Sequence, residues 1–363
     1  MPKDKIKILI VDDSLSIRLV LKGIFSDQPD MEVVGTAADP LQAIEVLKEV
    51  QPDVMTLDIE MPNMDGLTFL KKLKNLRPIP VVVISTLTHK GSKTAMEALS
   101  LGAIDAVGKP SAKAKELERC VDEIVEKVKA AAFSRVEGAK PRQELQKMLK
   151  EEGQIKETQS TDSVLQKKAK APAERPPLIA IGSSTGGPQA LQEILTNLPS
   201  TDLPGIVVVQ HIAQGFSASF ANRLDGLCDL TVKEAHDTLR IKPGHVYIAP
   251  SGKHMAVEWR GGNYHCRIFK GEPVSRHCPS VDVLFRSVAD NVGASAIGVI
   301  LTGMGADGAA GLKEIRDNGG RTIGQDEKSC IVYGMPRVAF EVGGVATQLS
   351  LKDIPHTLHS YCS

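Results

Sequence analysis

The sequence lacks long apolar runs, paired-cysteine motifs and any excess of one charge. No apolar run approaches the ~18 residues that a membrane-spanning helix needs. The amino-terminal stretch MPKDKIKILIVDD has too short an apolar part for a signal peptide and no small-residue cleavage site. The six cysteines are scattered, without a C-x-x-C pair, so they do not indicate a disulfide framework. We therefore expect a soluble, cytoplasmic protein without membrane insertion.

Charge and aromatic content exclude further classes. Lys+Arg 44 balance Asp+Glu 44, so the formal net charge is zero and the electrostatic footprint of a general nucleic-acid binder is missing. Aromatic residues make up only 4% of the chain, so the cores must be aliphatic, as is usual in parallel α/β sheets covered by helices. At 363 residues the chain is too long for one typical domain, and two domains are expected.

Residues 1–130 have the pattern of a doubly wound α/β domain. Short β-branched runs alternate with amphipathic stretches such as SLSIRLVLKGIF, in which apolar residues recur at i, i+3 and i+4. This alternation predicts βαβ units and a parallel sheet. The predicted strands cover 6–11, 31–37, 53–57, 80–84 and 105–109.

The pattern breaks at 131–177 and resumes at 178–363. The intervening stretch has few large apolar residues and ends in prolines and alanines, so it predicts a flexible linker. The last part predicts a second doubly wound parallel sheet. Within it, MAVEWRGGNYHCRIF alternates polar and apolar residues around Gly261 and Gly262, which is typical of an antiparallel β-hairpin insertion.

Polar side chains end four of the predicted amino-terminal strands. Asp12 and Asp13 follow the first strand, Asp58 follows the third, Ser85 closes the fourth and Lys109 follows the fifth. These groups should converge, because the carboxyl ends of parallel strands share one edge. An aspartate beside Mg²⁺, a lysine and a hydroxyl can attack a phosphoryl donor. Helix capping is the alternative role for such aspartates, but four polar groups at four strand ends favour a site.

Residues 5–128 resemble the two-component receiver domain through the segments VDDS, LDIEMPNMDG and VGKP. The resemblance implies a flavodoxin-like fold and phosphorylation at Asp58. It also implies that Mg²⁺ binds through Asp13 and Asp58 with Asp12 nearby, and that switching uses Ser85 and Lys109. Many receivers have threonine where Ser85 stands, and serine keeps the hydroxyl.

The segment 182–186, GSSTG, fits the G-x-S-x-G pattern between a predicted strand and a predicted helix. In that context a serine nucleophile, here Ser184, is exposed on a tight turn, and the Thr185 N–H is an oxyanion-hole candidate. The alternative is a glycine turn that cradles a phosphate, with Asp202 as a ribose contact. Asp202 precedes the next strand instead of ending it, which disfavours a dinucleotide site.

A base and an orienting acid for Ser184 stand at two other strand ends. His211 ends the predicted strand 205–211, and Asp307 lies just past 296–303, so both belong to the Ser184 edge of the sheet. The remaining histidines occupy loops, the hairpin or the carboxyl-terminal region, where histidines are mostly structural or solvated. Two His-Cys dipeptides, at 265–266 and 277–278, allow a metal hypothesis, but their spacing matches no standard zinc pattern.

Residues 178–350 resemble the chemotaxis protein-glutamate methylesterase/glutaminase family. The likeness is carried by IGSSTGGP, VVVQHIAQGFSASFANRL, HVYIAPSGKHM, SVDVLFRSVA and LTGMGADGAAGL. One departure is Ala306, where many relatives have asparagine; it does not touch the triad but could alter how the loop is held. With the receiver, the resemblance covers nearly the whole chain.

The resemblance implies hydrolysis of glutamate methyl esters, and deamidation of certain glutamines, on methylated chemoreceptors. A chemotaxis histidine kinase would be the phosphodonor, and the catalytic domain would need no cofactor. Ser184, His211 and Asp307 would form the triad, and backbone N–H groups of Thr185 and near Met304 would bind the oxyanion. Two other classes stay open at this point: a response regulator with a DNA-binding output domain, and a receiver joined to a nucleotide-binding scaffold module.

Overall fold

The computed structural model describes seven stretches of the chain, namely 5–61, 64–86, 88–110, 114–134, 161–166, 175–199 and 203–362. The chain divides into two compact units, Met1–Lys150 and Glu151–Ser363. Among the helices in these stretches, none has the length and apolar character needed to cross a membrane.

The first unit is a five-stranded parallel sheet in the order β2-β1-β3-β4-β5. Its strands are β1 (Ile6–Val11), β2 (Met31–Ala37), β3 (Val54–Leu57), β4 (Val81–Ser85) and β5 (Asp105–Gly108). Its helices are α1 (Leu15–Ser26), α2 (Pro40–Glu49), α3 (Gly66–Leu76), α4 (His89–Ser100) and α5 (Ala114–Ala132). The fold is the parallel sheet that the alternation of runs predicts, in the flavodoxin-like arrangement that the receiver resemblance implies, and the strand order reverses beside β1.

Local chemistry sets the starts of these helices. Ser14 caps α1 by accepting from the Ile17 N–H, and Asp39 caps α2 by accepting from the next two free N–H groups. Asp65 caps α3 in the same way. Because each helix follows the carboxyl end of a strand, the polar residues between strand and helix collect at one edge of the sheet.

The second unit is a seven-stranded sheet in the order β14-β13-β12-β6-β7-β9-β8, with every neighbouring pair parallel. Its strands are β6 (Leu178–Ser183), β7 (Ile206–Gln210), β8 (Thr231–Glu234), β9 (His245–Ile248), β12 (Ala296–Ile300), β13 (Arg321–Gln325) and β14 (Thr347–Leu349). Its helices are α6 (Gly187–Thr196), α7 (Ser217–Asp225), α8 (Val281–Asn291), α9 (Ala309–Asp317), α10 (Met335–Glu341) and α11 (Ile354–Cys362). The order reverses between β6 and β12, which places a crevice at that edge.

The predicted hairpin is present as a separate two-stranded sheet, β10 (His254–Arg260) with β11 (Asn263–Phe269). Gly261 and Gly262 form its turn with φ of 58° and 77°, a left-handed conformation that glycine adopts without strain. Its inward side chains, including Val257 and Cys266, join the core between the hairpin and α8. The hairpin therefore extends the apolar core beyond the large sheet.

Residues 161–166 differ from the predicted flexible linker. They form a short 3₁₀ turn in which Thr161 and Leu165 are buried. Leu165 packs with Ala256 of β10 and Val283 of α8, and Asp162 pairs with Arg286 of α8. This stretch is ordered because its few apolar residues pack against the apolar surface of β10 and α8. Composition does not indicate such a tertiary contact.

Candidate functional site

The three residues predicted as nucleophile, base and acid follow three adjacent strands. Ser184 follows β6, His211 follows β7 and Asp307 follows β12, and β6 lies between the other two strands. All three side chains are buried. The parallel order of the strands brings these residues to one edge although long stretches of chain separate them.

His211 and Asp307 are in direct contact: His211 Nε2 lies 2.8 Å from Asp307 Oδ2. The Asp307 carboxylate also sits at the amino terminus of α8. It accepts hydrogen bonds from the Val281 N–H at 2.7 Å, the Asp282 N–H at 3.1 Å and the Ser280 hydroxyl at 2.7 Å. The helix dipole and these donors favour the ionised carboxylate and fix its orientation.

Two neighbouring carboxyl groups have opposite pKa shifts. Burial alone disfavours an ionised Asp307, but the hydrogen bond and charge of His211 hold its pKa below the usual range. Burial, and then the negative charge of Asp307, raises the pKa of Asp282. The acid that contacts His211 therefore keeps its charge, while the acid beside it holds its proton to higher pH.

Ser184 lies on a tight turn between β6 and α6. Its carbonyl oxygen accepts from the Gly187 N–H at 2.7 Å, and its own N–H donates to the Thr302 carbonyl at 3.0 Å. Gly186 closes the turn with φ 78°, in the left-handed region. Ser184 Oγ is buried and has no hydrogen-bond partner within the described part of the chain, so its hydroxyl is not committed to a structural contact there.

Gln210 is a buried anchor that the sequence analysis missed. Its Oε1 accepts from Ser183 Oγ at 2.6 Å, and its Nε2 donates to the carbonyl oxygens of Ser184 at 2.8 Å and His211 at 2.9 Å. A Cβ at residue 187 would lie 1.9 Å from Gln210 Oε1, so glycine there leaves it room. The sequence signal was a polar residue at the end of the otherwise apolar strand IVVVQ.

The two predicted oxyanion donors lie beside this turn. Thr185 directly follows Ser184, and its carbonyl accepts from Thr302 Oγ1 at 3.0 Å. Met304 lies in the loop after β12 and is buried. The loop at Ala306 is closed by a hydrogen bond from the Ala309 N–H to the Ala306 carbonyl at 3.0 Å. The use of the Thr185 and Met304 N–H groups as donors stays a prediction.

Of the two His-Cys dipeptides, neither belongs to a cluster with metal-ligand spacing among the described residues. His265 and Cys266 lie on β11, facing the paired strand β10. His277 instead lies next to His211, a contact that the sequence analysis missed. Asp202, the candidate ribose contact, falls outside the described residues.

A second site lies at the carboxyl edge of the amino-terminal sheet. Asp12, Asp13 and Asp58 each offer an oxygen, and these oxygens lie within 4.8 Å of one another. Lys109 Nζ is 2.8 Å from Asp58 Oδ2 and 3.0 Å from Asp12 Oδ2. Ser85 is buried, and its hydroxyl donates to the Gly91 carbonyl at 3.3 Å. The structure thus brings together the predicted carboxylates and lysine.

The charges in this acidic site influence one another. Burial raises the pKa of Asp58, although the hydrogen bond and charge of Lys109 oppose the shift and Asp12 adds to it. Burial disfavours a charged Lys109, but its contacts with Asp58 and Asp12 raise its pKa above the usual range. Oxygen ligands clustered in this way suit a hard divalent cation such as Mg²⁺.

Comparison with known proteins identifies relatives of both units. The family model described as CheB methylesterase matches residues 179–358, and the response regulator receiver domain matches residues 8–121. A protein-glutamate methylesterase/protein-glutamine glutaminase from Hydrogenovibrio crunogenus is 47% identical over 98% of both chains. One from Thiobacillus denitrificans is 47% identical over 97% of this chain and 95% of its own.

A solved structure gives the same result for the second unit. The Thermotoga maritima CheB methylesterase catalytic domain is 40% identical, with a TM-score of 0.50. It covers 52% of this chain and 99% of the solved domain. The similarity therefore extends from sequence to the fold that carries the candidate triad.

Proposed function

Because this chain belongs to the protein-glutamate methylesterase/protein-glutamine glutaminase family, we propose that Ser184, His211 and Asp307 are its catalytic triad. The chain is a hydrolase that removes methyl esters from protein glutamates and deamidates protein glutamines, under the control of a receiver domain. The observation that carries the residue assignment is the 2.8 Å contact between His211 and Asp307, at the edge where Ser184 also lies.

In the proposed reaction, Ser184 Oγ attacks the side-chain ester carbonyl while His211 takes the hydroxyl proton. His211 Nε2 is bonded to Asp307, so Nδ1 is the nitrogen that exchanges this proton. The tetrahedral intermediate collapses as His211 protonates the departing methoxide, which leaves as methanol. Water, deprotonated by His211, then hydrolyses the acyl-enzyme. For a glutamine side chain, the leaving group is ammonia.

The surrounding residues favour the charges that form in this reaction. Asp307, held by three donors at the start of α8, keeps its negative charge and stabilises the imidazolium. The Thr185 and Met304 N–H groups bind the oxyanion in this proposal. The amino terminus of α6, two residues beyond Thr185, adds a positive dipole end.

The receiver unit is the proposed regulatory input. Asp58 accepts a phosphoryl group, and Asp12, Asp13 and Asp58 would hold Mg²⁺, which would shield the phosphoryl charge. Lys109 contacts Asp58 directly and is placed to pair with the phosphoryl oxygens. The Ser85 hydroxyl, buried at the end of β4, completes the set by turning toward the same group.

Partners and domain limits follow from the same proposal. Methylated chemoreceptors are the substrate, a chemotaxis histidine kinase is the phosphodonor, and the domains are 1–130 and 178–363 with a connection at 131–177. All six cysteines are free thiols, which fits the reducing cytoplasm. The methylesterase match at 179–358 leaves no support for a DNA-binding or scaffold output.

The test is methanol release from a methylated chemoreceptor, with and without an acyl phosphate as phosphodonor. Ser184→Ala should lower kcat by ~10⁴-fold or more, because a triad loses its nucleophile. His211→Ala and Asp307→Ala should be severe but unequal, the acid costing less, and adding either to Ser184→Ala should cost little more. Ser350→Ala, at a partly exposed serine that follows β14, is the control. Wild-type turnover in Ser184→Ala would remove that residue from the mechanism.

A further inference from the structure

His277 stacks face to face on the proposed base, His211. The ring centroids are 3.7 Å apart and the ring planes differ by 16°. His277 is not one of the three proposed triad residues. Its position in the sequence, within a predicted loop, did not indicate this contact. The stack makes it the immediate neighbour of the ring that moves the proton.

A tight turn fixes the backbone of His277. Its N–H donates to the Val274 carbonyl at 2.9 Å, and its carbonyl accepts from the Val274 N–H at 3.1 Å. Between them, Ser275 and Arg276 have φ of 51° and 70°, which non-glycine residues rarely adopt. Such a conformation persists where the surroundings over-determine it, and Val274 is indeed buried against Leu165 in an apolar cluster.

The contact with Asp307 does not by itself orient His211. By itself, a hydrogen bond at Nε2 would permit the imidazole to rotate about that bond, and the outer torsion of a histidine side chain has a broad minimum. A flat ring packed against the imidazole face at 3.7 Å restricts this swing. The second ring nitrogen of His211 is then held in one direction.

Charge makes the stack sensitive to protonation. When His211 becomes an imidazolium, a neutral aromatic ring on its face favours the cation, whereas a protonated His277 repels it. Among the described residues, Asp307, Asp282 and His254 are charged or titratable members of this network, and Arg276 precedes His277 in the chain. Of these, Asp307 interacts electrostatically with both rings.

We propose that His277 is a positioning residue for the hydrolase reaction, which holds the His211 ring by stacking and does so productively as a neutral ring. This inference rests on the proposed triad. It assigns to the 274–277 turn the task of orienting the base.

The experiment compares His277→Ala and His277→Phe in the full-length, phosphodonor-treated protein. His277→Ala should lower kcat by ~10- to 100-fold, because a small misplacement of a reacting group costs about that much, with KM within about twofold. His277→Phe should recover most of the lost kcat at neutral pH, because it restores a flat ring. Below neutral pH, kcat/KM should fall more steeply in the wild type than in His277→Phe, which has one imidazole fewer to protonate.

His245→Ala is the matched control. His245 also stacks on an aromatic ring, that of Tyr247, but belongs to β9 away from the triad. It should leave kcat and the pH profile unchanged. Thermal unfolding shows which variants fold.

Three results overturn the proposal. One is a His277→Ala kcat within about twofold of wild type, and another is equal impairment of the Ala and Phe variants. The third is a pH profile of kcat/KM in which the acid limb of His277→Phe is identical to that of the wild type. This result decides the question even if His277→Ala does not fold. Loss of activity in Ser184→Ala in the same assay tests the triad separately, so the two failures are distinguishable.

Discussion

At the scale of single residues, hydrogen-bond donors around Asp307 stabilise the negative charge of its carboxylate. It accepts from two backbone N–H groups and one hydroxyl at the start of α8 while it bonds His211. Asp282, whose N–H is one of those donors, accepts in turn from the Gly311 N–H of α9 at 2.7 Å. Asp307 thus contacts the base, and Asp282 connects α8 and α9 to the loop that carries Asp307.

Asp282→Asn should make folding stability less dependent on pH. The folded-state pKa of Asp282 is raised, so the folded protein binds more protons than the unfolded chain as pH rises from the ordinary carboxyl range. The contribution of Asp282 to the free energy of unfolding of the wild type therefore decreases as pH rises above the ordinary carboxyl range. The decrease ends where Asp282 ionises in the folded protein as well. The free energy of unfolding from urea titrations, measured at several pH values, should show a variant-minus-wild-type difference that grows with pH.

Asp317→Asn provides the control for this measurement. Asp317 is exposed and pairs with Lys313 on the surface of α9, where an ion pair contributes little. Its stability difference should stay flat over the same pH range. A flat difference for Asp282→Asn as well would contradict the raised pKa.

At the scale of elements, the site depends on how the ends of β6 and β7 are joined. The ladder between these strands ends at Ser183 and Gln210. At this end, the Gln210 side chain forms hydrogen bonds with the Ser183 hydroxyl and with the carbonyls of Ser184 and His211. The Gln210 side chain therefore connects the nucleophile and the base, next to the backbone hydrogen bond from the His211 N–H to the Ser183 carbonyl at 3.0 Å.

Gln210→Met should lower kcat at least about tenfold while keeping the fold. It fills a similar volume, but it removes the Gln210 donor from the His211 carbonyl and the Gln210 acceptor from the Ser183 hydroxyl, and it leaves the Ser184 carbonyl with the Gly187 N–H alone. The same loss should lower the free energy of unfolding by about 1–3 kcal/mol. Steady-state kinetics and urea unfolding check both effects. Gln192→Met, on a partly exposed face of α6, is the control. Unchanged kcat in Gln210→Met would show that the strand ends need no such anchor.

At the scale of the whole molecule, the two units carry separate chemistry, and Ser184 is fully buried. We expect access of a substrate side chain to Ser184 to be the step that is controlled. The receiver resemblance implies that phosphorylation of Asp58 controls this access. Phosphorylation adds about −2 charge beside Lys109 and Ser85 and changes the surface that they support.

We therefore expect a carboxyl-terminal fragment to be more active than the unphosphorylated full-length protein. The fragment should start before Thr161, since 161–166 pack on α8 and β10, and a fragment of 178–363 should be less stable. A tenfold activation needs a differential of only ~1.4 kcal/mol. Methanol release by the fragments and by the full-length chain gives the comparison.

Asp58→Asn should stay at the low basal rate whatever phosphodonor is added. Asp53→Asn, at the opposite end of β3, should respond normally. If a folded fragment proved no faster than the unphosphorylated full-length protein, control by access to Ser184 would be wrong.

The sequence alone determined the fold class, the hairpin and the edges at which chemistry can occur. Short apolar runs alternating with amphipathic helices permit little other than parallel sheets, whose strand ends share an edge. That rule was enough to group Ser184 with His211 and Asp307, and Asp12 with Asp58 and Lys109. Local patterns suffice here because strand, turn and helix succeed one another within a few residues.

Only the tertiary structure decided the contacts that tune those groups. The α8 start under Asp307, the Gln210 bridge, the His277 stack and the docking of 161–166 each join segments far apart in the chain. Periodicity states which face of an element is buried but not which distant side chain meets it. These side-chain contacts follow from the close packing of whole elements, in which shape and hydrogen-bond satisfaction select one partner among many.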